Sequence, residues 1–369
     1  MKQTKTLNTD TIYMRKVIQL AHLGAGYVSP NPMVGAIIVK NGKVIGKGYH
    51  KKFGGPHAEV NAINNAKESV EGATIYVNLE PCNYHGKTPP CTDLLIKSKI
   101  ARVVIGMKDP NPRVTAKGIK QLRKAGIEVT VCVLENEAKK LNKTFIKYIS
   151  TNMPFVTLKV AQTLDGKIAD KTGKSQWITC KESRKYVHQL RAEYDAVLVG
   201  ANTIINDNPS LTVRDAKGRN PVRIIIDGNF NVPEKAKVFQ DSLAQTILFI
   251  ASNRRLKQSA KKLKLEKKNI TIVEMPGTKS GHLEIESILK KLGEFNIASV
   301  LVEGGTTIFS QFVQQHQADK LLTFIAPKIL GQGLNSFKQL QNKILGNEVT
   351  LKDITYTQYG QDILVEGYF

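Results

Sequence analysis

The feature that most constrains this chain is a set of one histidine and two cysteines. His57 stands two residues before Glu59, Cys82 follows Pro81, and Cys91 comes next. An imidazole and two thiolates are three zinc ligands, and a catalytic zinc keeps its fourth position for water. Cys82 ends a predicted strand, whereas His57 and Cys91 each begin a predicted helix. The chain must therefore fold so that one strand end and two helix starts meet at one point.

Strand and helix patterns alternate through the first 150 residues. Asn41-Gly42 is a hairpin turn signal, and apolar spacing predicts strands over 34–40, 44–50, 73–80, 102–107 and 127–133. Helices are predicted over 11–24, from His57, from Cys91, over 118–125 and along the charged stretch 135–150. Alternation on this rhythm predicts a sheet covered by helices on both faces.

A second domain is predicted after Asn152-Met153-Pro154, where strand signals restart. A length of 369 residues agrees with two domains, which we place at 1–150 and 151–369. The second is also predicted to be α/β, with strands over 155–161, 196–199, 222–227, 246–251, 270–274, 299–303 and 321–326.

The charge balance bears on partners. Fifty-four Lys and Arg residues against 31 Asp and Glu residues give a net charge of +23, which favours anionic partners such as a polynucleotide, a phosphorylated metabolite or a dinucleotide cofactor. The densest basic run, 254–268, also contains leucines and is interpreted as a solvated helix or loop. No apolar run reaches the ~18 residues of a membrane span, and the polar N-terminal segment does not resemble a signal peptide. Four cysteines are too few for a disulfide scaffold, so we expect a cytoplasmic protein. We expect neither a membrane nor a nucleic acid as its partner.

A catalytic zinc would give Glu59, which stands two residues after His57, a role in the reaction. Zinc lowers the pKa of a bound water to about 7, and Glu59 would carry the protons of the reaction. His-x-Glu with Pro-Cys-x-x-Cys is the signature of zinc deaminases, but here eight residues separate the cysteines. Two alternatives remain open: a structural zinc with His50 or His85 as fourth ligand, and a nucleic-acid deaminase such as a tRNA-editing enzyme.

Further motifs in the first domain carry a family resemblance. They are Asn31-Pro32-Met33-Val34-Gly35, Leu79-Glu80-Pro81-Cys82, Gly86-Lys87-Thr88-Pro89-Pro90-Cys91 and Asp109-Pro110-Asn111-Pro112. With them, the domain resembles the deaminase half of the bifunctional riboflavin-biosynthesis deaminase/reductase family. The resemblance implies a cytidine-deaminase-like α/β/α sandwich, one zinc per chain on His57, Cys82 and Cys91, and Glu59 as catalytic residue. It also implies three substrate-binding residues, namely Asn31, His50 and Lys87. Many relatives have Ser-His after the first cysteine, where this chain has Asn83-Tyr84, so His85 is assigned no role.

The second domain resembles the reductase half of the same family. The motifs are Leu164-Asp165-Gly166-Lys167, Ser175-Gln176-Trp177-Ile178-Thr179, the run 207–214, Glu303-Gly304-Gly305 and Ala326-Pro327-Lys328. The resemblance implies a dihydrofolate-reductase-like α/β domain that uses NADPH. It implies an NADPH site formed by Ala161, Trp177, Thr203, Asp207, Gly228, Gly305, Thr306, Thr307, Ile308, Phe309, Ser310 and Gln311. It implies contacts to the substrate from Lys159, Ser175, Arg191, Leu211, Arg214 and Glu303.

The residue chemistry supports part of this second site. Glycines between a strand end and a helix start, at 304–305, let backbone amides approach a phosphate, although no Gly-x-Gly-x-x-Gly fingerprint is present. Arg191 and Arg214 can hold a phosphate through charge-assisted forks, or form surface ion pairs instead. Relatives often have Ser at position 228, so an NADPH contact at Gly228 must come from the backbone.

The expected function is two consecutive steps of riboflavin synthesis. The first is zinc-dependent hydrolytic deamination of 2,5-diamino-6-(5-phosphoribosylamino)pyrimidin-4(3H)-one. The second is NADPH-dependent reduction of the ribosyl group of 5-amino-6-(5-phosphoribosylamino)uracil to ribityl. The resemblance also implies a homo-oligomer, either a dimer or a tetramer. A non-enzymatic module with structural zinc, or one active domain beside a degenerate one, remains an alternative.

Overall fold

Two compact units divide the chain, Met1–Asn152 and Met153–Phe369, here called the N-terminal and C-terminal units. The computed structural model describes residues 2–85, 89–111, 115–252, 260–268, 270–278, 281–340 and 348–369, and for 2–8 the backbone only. The last helix of the N-terminal unit ends at Thr151, and the next residue, Asn152, has a left-handed backbone (φ 55°), which is a common helix stop. Pro154 follows and cannot continue a helix.

In the part of the N-terminal unit that the structure describes, five strands form one sheet. Its strands are β1 (Gly35–Lys40), β2 (Lys43–Tyr49), β3 (Thr74–Leu79), β4 (Arg102–Met107) and β5 (Glu128–Thr130). The spatial order is β2-β1-β3-β4-β5. β1 runs antiparallel to β2 and β3, whereas β3, β4 and β5 are parallel. The predicted hairpin turn is confirmed, because Asn41 and Gly42 both adopt positive φ, 49° and 74°.

Helices cover both faces of this sheet. They are α1 (Lys2–His22), α2 (Ala58–Asn64), α3 (Cys91–Lys97), α4 (Lys117–Lys124), α5 (Glu135–Leu141) and α6 (Lys143–Thr151). One core contains Ile75 and Val77 of β3 with apolar residues of α2, α3 and α4. The other contains Tyr76 of β3 with Met14 and Val17 of α1. Since successive strand side chains point to opposite faces, the unit is a three-layer α/β/α sandwich.

The structure corrects three element predictions in this unit. The helix expected over 11–24 begins already at Lys2 and ends at His22. The helix expected over 135–150 is two helices that break at Asn142, a buried residue whose side chain hydrogen-bonds to the Met33 backbone. The strand expected over 127–133 ends at Thr130. Cys132 and Leu134 have left-handed backbones (φ 65° and 57°), which a strand cannot contain.

The described residues of the C-terminal unit form the strands β6 (Phe155–Thr163), β7 (Lys167–Asp170), β8 (Ala196–Gly200), β9 (Val222–Ile226), β10 (Thr246–Ala251), β11 (Ile270–Met275), β12 (Ser299–Val302), β13 (Lys320–Ala326), β14 (Gly333–Asn335), β15 (Lys352–Tyr359) and β16 (Asp362–Tyr368). Nine of these described strands form one sheet of order β11-β10-β9-β8-β12-β6-β13-β16-β15, and β14 pairs separately with β7. The seven strands from β11 to β13 are parallel, and β16 and β15 are antiparallel additions.

Helices also cover both faces of the second sheet. They are α7 (Lys181–Glu193), α8 (Ala201–Asp207), α9 (Ala260–Glu266), α10 (Ile285–Glu294) and α11 (Thr306–Gln314), with a short 3₁₀ helix at Lys237–Phe239. Val300 and Val302 of β12 pack with α10 and α11, whereas Leu301 between them packs with α7. The end of β8 leads directly into α8, and the end of β12 leads into the start of α11. This edge of a parallel sheet is where α/β folds bind ligands.

Some elements of the C-terminal unit were not predicted. β15 has no sequence signal of a buried face, because almost all of its side chains are exposed. β16 was not predicted either, although Leu364 on it is fully buried. The basic run 254–268 forms α9 over Ala260–Glu266, and its residues 254–259 lie outside the described part. Among the helices that are described, none combines the length and the apolar character needed to cross a membrane.

Candidate active sites

His57, Cys82 and Cys91 meet in the N-terminal unit as their pattern predicts. Nδ1 of His57 lies 3.3 Å from Sγ of Cys91 and 3.6 Å from Sγ of Cys82. His57 is the cap residue before α2, Cys91 is the first residue of α3, and Cys82 follows β3. All three candidate ligand atoms lie within 4.8 Å of one another, which places a potential metal site where β3 and two helix starts converge.

The donor chemistry of this cluster fits zinc. Hydrogen bonds, first from the Cys91 thiol and also from His57, lower the pKa of Cys82 to about 4. The same thiol bond, together with burial, raises the pKa of Cys91. The two sulfurs thus share a proton that a divalent cation would displace. Within the described residues the cluster contains three ligands, and neither His50 nor His85 joins it. One nitrogen and two sulfurs leave a fourth tetrahedral position open, unlike a structural site closed by four protein ligands.

Glu59 lies in the first turn of α2 and is almost fully buried. Burial raises its pKa, and the negative charge of Cys82 adds to the rise while His57 opposes it. A carboxyl group with a raised pKa beside a metal cluster is suited to accept a proton and return it.

His50 and Asn31 form a polar pair beside the cluster. The Asn31 amide donates to Nε2 of His50 (3.3 Å), and Nδ1 of His50 contacts the Pro56 carbonyl (3.1 Å). The His50 ring packs edge-on against His57, with centroids 5.6 Å apart. Burial lowers the pKa of His50, which favours its neutral form. Lys87, the third predicted substrate residue, lies outside the described residues.

Two residues whose side chains hold the backbone around this site, Asn142 and Glu80, were not predicted as site residues from the sequence. The Asn142 side chain accepts the Met33 N–H (2.8 Å) and donates to the Met33 carbonyl (3.0 Å). The same carbonyl also accepts from the Asn78 amide. The Glu80 carboxylate accepts N–H groups of residues 109, 116, 118 and 119. Glu80 stands in the Leu-Glu-Pro-Cys motif, which was a sequence signal for it. Asn142 had no sequence signal, because it lies inside a stretch that predicts one continuous helix.

All six predicted substrate residues of the C-terminal unit line one cavity of about 710 Å³. They are Lys159, Ser175, Arg191, Leu211, Arg214 and Glu303. Six predicted NADPH residues share this cavity: Ala161, Trp177, Thr203, Asp207, Gly305 and Phe309. The Arg184 guanidinium lies 4.6 Å from the Trp177 ring centroid, and the Ser175 hydroxyl donates to Asp207.

A second cavity, of about 300 Å³, collects eight predicted NADPH residues, namely Thr203, Asp207, Gly228, Gly305, Thr306, Thr307, Ile308 and Gln311. Because Thr203, Asp207 and Gly305 line both cavities, the two are lobes of one cleft. Gly305 precedes α11, so the free N–H groups of that helix lie at the cleft. A Cβ at Gly228 would come within 1.8 Å of the Gly281 carbonyl, so this position contributes backbone only. Ser310 is the exception: it is buried, and its hydroxyl accepts the Gln339 N–H.

A buried ion pair lies inside the larger cavity. Arg191 donates to both oxygens of Glu303, at 2.6 and 2.9 Å, and to the Thr212 carbonyl. Burial opposes ionisation of Glu303, but the Arg191 guanidinium, helped by Lys159, outweighs it and lowers the pKa of Glu303 to about 2. Burial lowers the pKa of Lys159, whose Nζ is 4.0 Å from Glu303. The Arg191 guanidinium is therefore already paired with a carboxylate. The guanidinium of the exposed Arg214 is more available than that of Arg191 to bind a phosphate.

Comparison with known proteins covers both units. The model of the cytidine and deoxycytidylate deaminase zinc-binding region matches residues 7–107, and that of the RibD C-terminal domain matches 154–365. The riboflavin biosynthesis protein RibD of Aquifex aeolicus is 46% identical over 357 residues, which cover 96% of this chain and 97% of the relative. RibD of Escherichia coli strain K12 is 37% identical, with 96% and 98% covered. The chain belongs to the RibD family.

Solved structures agree with this assignment. A deaminase/reductase crystal structure from Thermotoga maritima is 43% identical, with a TM-score of 0.88 and coverage of 98% of this chain and 99% of that one. RibD of Acinetobacter baumannii is 35% identical, with a TM-score of 0.87 and the same coverage. The predicted fold class is confirmed, as a cytidine-deaminase-like unit followed by a RibD reductase unit. This RibD family member is a bifunctional enzyme of riboflavin biosynthesis, with a zinc-binding deaminase domain and a reductase domain of the NADPH-using type.

Proposed function

We propose that the N-terminal domain, 1–150, hydrolyses the 2-amino group of 2,5-diamino-6-(5-phosphoribosylamino)pyrimidin-4(3H)-one. The C-terminal domain, 151–369, then reduces the ribosyl group of 5-amino-6-(5-phosphoribosylamino)uracil to ribityl. The Thermotoga maritima relative is named as a deaminase and reductase of these substrate classes. The observation that carries the proposal is the three-ligand cluster with a buried acid, Glu59, two residues from His57.

In the deaminase site, His57, Cys82 and Cys91 hold the zinc, which when bound supplies a water that ionises near neutral pH. Glu59 takes one proton from the attacking water and gives it to the ring nitrogen, and then carries the second proton of that water to the departing amine, so that ammonia leaves and a carbonyl remains. Asn31 and His50 supply an amide and an imidazole for the polar edge of the pyrimidine, and Lys87 supplies an ammonium for the phosphate.

In the reductase site, NADPH when bound would supply a hydride to C1 of the ribosyl group; the bond between C1 and the ring oxygen breaks, and that oxygen takes a proton from solvent to become a hydroxyl of the ribityl chain. The lobe at Gly228 and the start of α11 holds the cofactor, and the lobe at the Arg191–Glu303 pair holds the substrate. The shared wall at Thr203, Asp207 and Gly305 supports this division, because cofactor and substrate must meet there for direct transfer. We further propose, on the family resemblance alone, a cytoplasmic homo-oligomer.

The test is zinc content together with ammonia release from the diaminopyrimidine substrate. The purified enzyme should contain about one zinc per chain and release ammonia, lose this activity after chelation, and regain it when zinc is restored. Zinc without ammonia release would overturn the proposed substrate. Activity unchanged after complete zinc removal would overturn the proposed chemistry.

A further inference from the structure

The substrate lobe of the C-terminal cleft is basic at one side. Its acidic residues are Asp207, Asp215 and Glu303, and its basic side chains are Lys159, Lys181, Arg184, Arg191, Arg214 and Lys237. Glu303 holds Arg191 and faces Lys159. The excess of positive charge therefore lies along the first turns of α7 and at Arg214, which is the side suited to an anionic group of the substrate.

The segment that carries Arg214 is held against α7 by its backbone. Leu211 adopts a left-handed backbone (φ 54°) and is buried. The Thr212 carbonyl accepts from Arg191 (3.2 Å), and the Val213 N–H donates to Asn220 (2.8 Å). The position of the Arg214 side chain thus depends on a few fixed hydrogen bonds rather than on the packing of a helix or strand.

The third hydrogen bond comes from a residue that has had no role so far. His188 lies on α7 one turn before Arg191, lines the same cavity, and has a side chain 7% exposed. Its Nδ1 accepts the backbone N–H of Arg214 at 3.3 Å, and its Nε2 lies 3.6 Å from a carboxylate oxygen of Asp215. Burial, with the charges of Arg191 and Arg214, lowers the pKa of His188, so Nδ1 is available as an acceptor.

We propose that His188 is a positioning residue that holds Arg214 in place for the phosphate of the reductase substrate. This rests on the proposed function of the C-terminal unit. The ring connects the helix that carries Arg191 to the segment that carries Arg214. Without an acceptor at the Nδ1 position, the Arg214 N–H loses its partner and the segment loses its last attachment before the guanidinium. The expected defect is weaker recognition of the phosphate, with the hydride step unchanged.

The test compares two substrates, 5-amino-6-(5-phosphoribosylamino)uracil and its dephosphorylated counterpart, in NADPH oxidation assays. His188→Leu removes the acceptor at similar volume, and His188→Asn places an amide oxygen near the Nδ1 position. We expect His188→Leu to raise KM for the phosphorylated substrate about tenfold, as for one lost hydrogen bond. The kcat, the KM for NADPH and turnover of the dephosphorylated substrate should stay at wild-type values. His188→Asn should restore the KM.

Two control variants show how large a change in KM is to be expected. Arg214→Ala should abolish the preference for the phosphorylated substrate, whereas Gln189→Leu, an exposed neighbour on the same helix, should change nothing. If His188→Leu does not fold, His188→Ala takes its place. Equal losses on both substrates, an unchanged KM in His188→Leu, or an Asn variant as impaired as the Leu variant would each overturn the inference. Absence of NADPH oxidation in the wild type would instead overturn the proposed function.

Discussion

In the N-terminal unit the site is formed by side chains at the ends of neighbouring elements, and each ligand comes from a short motif. In the C-terminal unit the site surrounds an ion pair between Arg191 and Glu303, which are 112 residues apart in sequence. The first arrangement follows from helix starts and a strand end that must converge. The second follows from a parallel sheet whose order, unlike the chain order, places β12 between β8 and β6. Local motifs thus disclose the first site, whereas the second needs the fold.

The largest effect that separates the two sites is expected from loss of one metal ligand. Cys91→Ala should abolish zinc binding and ammonia release, because two remaining ligands do not retain a catalytic zinc. NADPH-dependent reduction of the deaminated substrate should be unchanged. Cys132→Ala is the matched control, since Cys132 is exposed and outside the cluster. Metal analysis and both activity assays on the two variants check this, and a zinc content unaffected in Cys91→Ala would contradict the ligand set.

The next effect concerns the buried pair of the C-terminal unit. Glu303→Gln leaves the Arg191 guanidinium buried without its counter-charge, which typically costs about 3–5 kcal/mol. We expect the urea unfolding transition of this unit to shift accordingly, with loss of reductase activity. Glu286→Gln breaks an exposed pair with Lys290 and should leave the unfolding transition almost unchanged, because water screens such a pair. Equal shifts in the two variants would show that the buried pair has no special weight.

A smaller effect is expected from the support of the deaminase site. Asn142→Ala removes both side-chain bonds to the Met33 backbone and should destabilise the N-terminal unit by about 1–3 kcal/mol. Because the freed segment carries Asn31, KM for the diaminopyrimidine should rise while zinc content stays at one per chain. Asn65→Ala, which removes an exposed bond to the Lys47 carbonyl, is the control. A KM equal in both variants would argue against a positioning role for Asn142.

The sequence predicted most of the fold because most strands of the two sheets are buried, and buried strands have apolar patterns that can be recognised. It failed at β15, whose side chains are exposed, and at Asn142, where a side-chain contact to a distant loop interrupts a helix. The metal cluster was predictable because few arrangements satisfy two cysteines, a histidine and a glutamate at these spacings. His188 was not, because a lone histidine on a helix carries no signal until the Arg214 segment is seen beside it.

One chain holds two separate chemistries, and the Glu59→Gln variant separates them within the intact protein. Ammonia release should fall on the order of 10²–10⁴-fold, the usual contribution of a positioned proton carrier. With the diaminopyrimidine as substrate, NADPH oxidation should fall with it, because no deaminated product is formed. With 5-amino-6-(5-phosphoribosylamino)uracil supplied directly, NADPH oxidation should equal that of the wild type. Retained ammonia release would show that Glu59 does not carry the protons of the deamination. Loss of NADPH oxidation on the supplied product would show that the two sites are not separate.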